Sequence, residues 1–374
     1  MLSFIEISRE NLIHNFQLFR NLVHPKTKIA VLVKANAYGH GQNEIVEALE
    51  NYADYFQIDD MQELRLIRKV TKKPVLVFGY VEKGELEEAV MLDGTLAVYD
   101  VERLNILEEI GKKLGKKISI HVKIDAELGR QGILPDALEE FVNALKNTKH
   151  IEVKGVYSHF ANIEDASDFS HAQKQIDVHA KAVAIFKKNG FDKINTHISA
   201  SSGILAYEQN KGISDIVRLG IAVYGMWPSE DLRKKYENEN FILRPVMRWV
   251  SHVAQVKTLP SGHSIGYGLT FVTKKPTNIA VIPQGYSDGY DRGFSNNADV
   301  LIGGKRCPVL GRVAMNMFVA DVSALENVQA EDEVVLLGEQ ENERITVEEL
   351  AERISTINYE ITTRVLTLLP RIVK

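Results

Sequence analysis

The chain of 374 residues holds a single cysteine, Cys307, so it cannot close a disulfide within itself. A lone thiol suits a reducing compartment. There is no excess of one charge. Forty-five lysines and arginines stand against 50 aspartates and glutamates, leaving −5 with both signs dispersed. That balance argues against nucleic acid as the main partner, which calls for a basic face. No apolar run approaches the roughly 18 residues needed to span a membrane. The opening residues, MLSFIEISRENLIHNF, lack the basic region and apolar core of a leader segment. Low-complexity tracts and strong internal repeats are absent. The histidines show no compact ligand spacing, and the HAQKQIDVH segment, with His171 and His179, reads as a solvated helix, so no metal is expected. The expectation is a soluble cytoplasmic protein with no membrane or nucleic-acid partner, long enough for two domains.

The most informative stretch present is Lys28 to Gly41, KIAVLVKANAYGHG. Ile29 to Val33 is a short apolar run rich in β-branched residues, which suits a buried strand. The strand ends on Lys34. Asn36, Tyr38, Gly39, His40 and Gly41 then form a turn before a helical pattern resumes at Asn43. A lysine at the end of a buried parallel strand is costly, because burial disfavours its charged form. Either Lys34 marks where the strand reaches water, or it is an amine that captures a carbonyl, as in a Schiff base with pyridoxal phosphate.

From this strand onward, short apolar runs alternate with amphipathic helical patterns. Strands are expected at Ile29–Val33, Tyr55–Ile58, Val75–Phe78, Leu96–Tyr99, Ile118–Ile124, Val153–Tyr157, Ile194–Ile198 and Ile216–Leu219. About eight βα units in roughly 220 residues match a (β/α)8 TIM-type barrel, with a doubly wound open sheet as the competing topology. The pattern changes after Pro228. Residues 230–240, EDLRKKYENEN, read as a linker or exposed helix end. From about Pro245 the runs are short and strand-like, beginning with Arg248–Thr258, and Gly and Pro turns separate them. The expected fold is therefore an α/β barrel over residues 8–235, followed by a C-terminal mostly-β domain over 240–374. The early strand at residues 4–7 joins the second domain in this reading.

Barrel function gathers at the carboxyl ends of the strands, and phosphate is often held after the last two. Those ends carry Lys34 and Tyr38 on the first strand, Lys123, Asp125 and Arg130 on the fifth, and His159 on the sixth. Ser199 to Gly203 follow the seventh strand, and Arg218 and Gly220 belong to the eighth. Ser201 and the amides around Gly220 and Ile221 suit a phosphate. Each also has a plain structural use: a helix cap for Ser201, a tight turn for Gly220, a core histidine for His159.

In order along the chain, KANAYGHG, VKIDAELGR, YSHFA, HISAS, VRLGIAVYG, IGYGLTF, IPQGYSDGY, GRVAMNMF, INYEI and Pro370-Arg371 resemble the alanine racemases. The resemblance covers most of the chain. It implies pyridoxal 5'-phosphate bound on Lys34 and a head-to-tail homodimer with shared active sites. By matching position it implies that Tyr38, Ser201, Gly220, Ile221 and Tyr359 hold the phosphate. Arg218 would face the pyridine nitrogen, with His159 beside it. Arg130, the Met315 backbone and Tyr286 would line the substrate end. Tyr267 would reach the partner's site as a second base, and Lys123 matches a lysine that is often carbamylated. The implied activity interconverts L- and D-alanine to supply peptidoglycan, the alternatives being a racemase of another small amino acid such as serine or a non-catalytic pyridoxal phosphate-binding homeostasis protein.

These residue types suit that chemistry. Racemisation removes a proton from one face of a carbon and returns one to the other, so two groups on opposite faces are needed. An arginine at the pyridine nitrogen does not readily give up a proton, which disfavours a long-lived delocalised carbanion. The chain departs from the family pattern at Ala126-Glu127-Leu128, Ala200, Ala314 and Asn316. Glu127 offers a negative charge to Arg130, and the other changes leave room for a substrate such as serine.

Overall fold

The computed structural model describes residues 2–164, 168–208 and 213–374. The chain divides into two compact units. One comprises residues 13–35 and 45–243; the other comprises 1–12, 36–44 and 244–374.

Strand β1 (Phe4–Ile7) belongs to the second unit. The first unit is built on eight strands: β2 (Lys28–Leu32), β3 (Tyr55–Ile58), β4 (Val75–Val77), β5 (Gly94–Val98), β6 (Ile118–Lys123), β7 (Ile151–Tyr157), β8 (Asn195–His197) and β9 (Ile216–Leu219). All neighbours are parallel and follow chain order, with β9 beside β2. The last gap closes where Asp215 N–H donates to Thr196 O at 2.9 Å and Arg218 N–H to Ser199 O at 3.1 Å. The sheet is thus a barrel rather than an open doubly wound sheet, as parallel strands with helical crossovers allow. Several strands begin or end a residue or two from the expected limits, which is ordinary for boundaries read from periodicity.

The barrel interior is aromatic. Phe78 stacks on Tyr157 at 4.1 Å between ring centroids, and Tyr157 stacks on His197 at 5.0 Å with the planes 6° apart. Gly155 is required where the His121 ring passes, because a Cβ there would lie 2.6 Å from it. Two sequence expectations change. Helix Ser170–Lys188 buries Ala172, Gln175, His179 and Phe186, so its His179 is a core residue and not a solvated one. Of the two readings of residues 230–240, the helix is the one found: Glu230–Glu237 is capped by Ser229, and it is docked rather than fully exposed, with Leu232 and Tyr236 buried. A polar helix still docks when two apolar residues four apart share one face.

The second unit holds β10 (Met247–His252), β11 (Gln255–Leu259), β12 (Ser264–Ile265), β13 (Phe271–Val272), β14 (Thr277–Ile282), β15 (Asp299–Ile302), β16 (Lys305–Leu310), β17 (Phe318–Asp321), β18 (Glu333–Gln340), β19 (Glu343–Ile345) and β20 (Arg371–Val373). One continuous path of pairings runs β11-β14-β17-β16-β15-β18-β10-β1-β20. The run Arg248–Thr258, expected as one strand, is two. Val253 N–H turns to Asp332 O and Ala254 N–H to Val281 O, so the chain leaves β18 and joins β14. Strand β1 lies antiparallel to β10 and parallel to β20, pairing Ile5 with both Trp249 and Arg371. Among the described residues no helix is long and apolar enough to cross a membrane.

Residues 36–44 pack within this second unit. Gly39 lies flat against helix Asn358–Thr363, where a Cβ would come within 1.9 Å of Thr362 O, and its own φ is +85°. Replacing Gly39 by alanine is therefore expected to lower stability by about 2 kcal/mol or more. Thermal unfolding of the Gly39→Ala protein checks this, and an unchanged midpoint contradicts the close approach.

Candidate active site

Strand β2 ends at Leu32, and Tyr224 donates its hydroxyl to that carbonyl at 2.5 Å. Beyond it, Lys34–Tyr38 forms one helical turn. The turn is left-handed: Ala35, Asn36, Ala37 and Tyr38 all have φ between +51° and +55°. L-residues disfavour this region by roughly 1–2 kcal/mol each, and it is normally visited by single residues. Several contacts hold the turn. In the barrel unit, the Glu63 carboxylate accepts from Ala35 N–H at 2.5 Å and Asp59 N–H at 2.7 Å. In the second unit, the Asn36 side chain accepts from Gln42 N–H at 2.9 Å. Buried His40 turns Nδ1 onto the Ala37 and Tyr38 carbonyls at 3.1 and 3.0 Å. Both are carbonyl acceptors, so His40 Nδ1 carries the proton. Lys34 itself is part-exposed, with its ammonium 3.9 Å from an Asp59 oxygen.

The other strand ends of the barrel unit carry a cationic cluster. Arg218 on β9 is buried; one of its terminal nitrogens donates to Ser158 O at 2.7 Å and Ile198 O at 2.6 Å, and lies 3.2 Å from His159 Nδ1. Burial, and then Arg218, hold the His159 pKa well below the usual histidine value. His159 is thus a neutral imidazole. Its Nδ1 faces an arginine donor, so the proton sits on Nε2. Lys123 on β6 donates to the Gln131 side chain at 3.0 Å. Burial lowers its pKa to about 8, assisted by Arg130 and Arg218. The Arg130 guanidinium is exposed, and among the described residues no acid stands within ion-pair distance of it. Glu127 lies 3.9 Å from His171 instead of pairing with Arg130 as the sequence suggested.

After β8 and β9 the chain presents hydrogen-bond donors. Ser201 opens a short helical turn, and its Oγ accepts from Gly220 N–H at 3.0 Å and, less closely, Ala222 N–H at 3.4 Å. With these two N–H groups on its oxygen, the hydroxyl keeps its own proton to donate. Ile221 is the first residue of the following helix, so its N–H has no carbonyl within that helix. This cradle, with the guanidinium and the neutral imidazole, fits a phosphate-bearing pyridine.

The second unit carries the remaining residues. The rings of Tyr38 and Tyr359 lie 6.0 Å apart. Tyr267 stands between Gly266 and Gly268, both with left-handed φ, and is 73% exposed. Tyr286 N–H donates to Ala314 O at 3.1 Å, and Ser287 binds Met315 O through N–H at 3.0 Å and hydroxyl at 2.8 Å. The trans Ala314–Met315 peptide sets its N–H opposite to its carbonyl, so Met315 N–H faces away from the Tyr286 loop. Gly285 permits this approach; a Cβ would meet the Ala314 and Met315 carbonyls at 2.3 Å. Sequence reasoning missed Glu63, Gln131 and His40, whose roles rest on contacts that no local pattern announces.

Eight strands ending in a lysine, a buried guanidinium–imidazole pair and a serine–amide cradle define a lysine-bearing barrel enzyme. The alanine racemase N-terminal domain family matches residues 7–228 and the C-terminal domain family matches 246–373. Alanine racemase 2 of Caldanaerobacter subterraneus is 37% identical over 371 residues, spanning 98% of this chain and 94% of that protein. The solved alanine racemase of Clostridium difficile superposes with a TM-score of 0.92 at 30% identity, covering 100% of this chain and 96% of that one. That of Bartonella henselae, solved with covalently bound pyridoxal phosphate, gives 0.86 at 25% identity over the full length of both. The chain belongs to the alanine racemase family, and it is an enzyme, an amino-acid racemase of the isomerase class.

The buried histidines make the fold acid-sensitive. His40 and His179 are lowered to about 4 and His121 to about 3, each chiefly by burial. His159 and His197 are lowered as well, for the same reason. An unfolded chain takes up these protons near pH 6.5 while the folded one does not, so stability is full above that value and falls below it. Each histidine removes up to about 1.4 kcal/mol per pH unit between 6.5 and its folded value. Urea unfolding at pH 7.5, 6 and 5 should show little change at first and then a steep loss. A flat profile down to pH 5 contradicts the neutral assignments.

Proposed function

We propose that the protein interconverts L- and D-alanine with pyridoxal 5'-phosphate held on Lys34, using Lys34 and Tyr267 of the partner subunit as the two bases. The observation that carries this reading is the Arg218–His159 pair in the same barrel as Lys34. A guanidinium anchored by two carbonyls beside a neutral imidazole suits the ring nitrogen of the cofactor. With a pKa above about 12, it does not pass that nitrogen a proton. When bound, the cofactor supplies an electron sink for the α-carbon.

The protein groups do the rest. Lys34 takes or returns a proton on one face and Tyr267 on the other. Ser201, Gly220 and Ile221 hold the phosphate from the barrel, and Tyr38 and Tyr359 contribute hydroxyls to it. The substrate carboxylate meets Met315 N–H and the exposed Arg130, with Tyr286 beside Met315. Lys123, with its pKa lowered to about 8, keeps a useful neutral fraction near pH 7.5 and suits reaction with carbon dioxide. The resulting carbamate would exchange a cation for an anion among Arg130, Arg218 and Lys34, which relieves like-charge repulsion.

The shared site requires a head-to-tail homodimer. The exposure of Tyr267, Leu269, Val272, Met315 and Met317 supports one, because large apolar groups left in water mark association surfaces. The physiological role we propose is D-alanine supply for peptidoglycan from the cytoplasm.

The test uses each hand of alanine in deuterium oxide. The wild-type protein should exchange the α-proton of both. Lys34→Ala should lose both exchange and the cofactor absorbance band. Tyr267→Phe should keep the band and slow exchange by about a hundredfold or more. Unchanged exchange in Tyr267→Phe removes the second-base role, and no exchange by cofactor-loaded wild type removes the racemase reading. Serine and other small L-amino acids in the same assay rank the substrate. In carbon-13 bicarbonate, a carbamate resonance should be visible by NMR in wild type and missing from Lys123→Met. A spectrum that is the same in both excludes the modification.

A further inference from the structure

Arg371 has a role that none of the proposed chemistry uses. Its backbone lies in β20, fixed by pairing with Ile5. Its side chain crosses to the Tyr38–Gly39 turn. Nε and Nη2 both donate to Gly39 O, at 3.2 and 2.8 Å. Nη1 donates to Leu366 O at 2.8 Å, Thr367 O at 2.9 Å and Leu369 O at 2.5 Å. Nη2 also reaches Val365 O at 3.4 Å. Among the described residues no carboxylate stands within ion-pair distance of it, and although Glu44 acts on it electrostatically, this guanidinium is bound by carbonyl oxygens. Burying a charge that way is unfavourable unless the fork of donors is fully used.

The acceptors share one feature. Gly39 O belongs to the residue after Tyr38, and residues 365–369 follow directly on the helix that carries Tyr359. The Gly39 backbone meanwhile abuts Thr362 O of that helix, and the Tyr38 and Tyr359 rings lie 6.0 Å apart. One side chain therefore ties together the two segments that present these tyrosines, from a base fixed in a sheet.

We infer that Arg371 is a positioning residue that sets the spacing of Tyr38 and Tyr359 for a phosphate. The inference rests on the phosphate role proposed for those tyrosines. Its signature is selective: losing the clasp weakens binding of a phosphate-bearing ligand and spares the same ligand without phosphate. General damage to the fold would weaken both.

The experiment titrates the full-length chain with pyridoxal phosphate and with pyridoxal, following absorbance. Wild type should prefer the phosphate form strongly. Arg371→Met should reduce that preference about tenfold, the scale of one charge-assisted hydrogen bond, with pyridoxal affinity unchanged. Arg371→Lys, which keeps the charge and some donors, should recover part of it and serves alone if the methionine variant does not fold. In a Tyr38→Phe/Tyr359→Phe background the Arg371 change should add little, because the clasp acts through those two hydroxyls. An unchanged preference in the Arg371 variants, an equal loss for both ligands, or full additivity with the Tyr38→Phe/Tyr359→Phe pair overturns the inference while leaving the cofactor reading intact. No phosphate preference in wild type overturns the phosphate role itself.

Discussion

Everything at this site depends on an unfavourable piece of backbone. Four successive non-glycine residues after Lys34 adopt the left-handed region, which on its own would cost about 4–8 kcal/mol. Such a turn persists only where its surroundings over-determine it. Here the barrel end is held by the Glu63 carboxylate on Ala35 N–H. The other end is held by His40 on two carbonyls and by the Arg371 clasp on Gly39. The turn follows the strand directly, so Lys34 and Tyr38 come from a single five-residue segment without an intervening loop.

A second constraint is electrostatic. Lys34, Lys123, Arg130 and Arg218 share one end of one barrel, and His159 stands among them. Burial keeps the histidine neutral, and the surrounding cations reinforce this. A charged imidazole would add to the repulsion and would lose the lone pair that receives Arg218. The cluster is stable because its members differ in how readily they lose a proton. Arginine keeps its proton, histidine never gains one, and Lys123 is the member left to adjust.

Legibility in the sequence followed the range of the interactions. The eight strands were readable because each is a short apolar run between helical patterns, and the alternation survives small errors at the ends. Lys34, Ser201 and Arg218 are legible as candidates because they gather at the strand ends of one barrel, although Lys34 and Ser201 each have a plain structural use as well. The left-handed turn was not, since KANAY carries glycine only after it. Glu63 looks like an ordinary first-turn acid of its helix, and nothing local says that it caps a distant strand end. The same holds for the break at Val253-Ala254: an apolar run does not record that its two halves pair with different strands. His179 was misread because a polar residue on a charged helix gives no hint that Ser158 waits for it at 3.0 Å.

The Tyr157 ring, together with the buried Asp125 carboxylate beside Lys123, helps explain why the cations can be so close. Lys123 Nζ lies 5.7 Å and the Arg218 guanidinium 5.5 Å from the ring centroid. The negative face of an aromatic ring attracts both while carrying no net charge. A carboxylate in its place would bind each cation more strongly and would raise the Lys123 pKa toward that of an ordinary lysine. The amine would then stay protonated near neutrality and lose its capacity to react. Burial drives the Tyr157 hydroxyl upward in pKa, so the phenol does not become that carboxylate's equivalent. The ring is stacked between Phe78 and His197, and a fixed, uncharged separator between Lys123 and Arg218 leaves burial free to hold the Lys123 pKa at about 8.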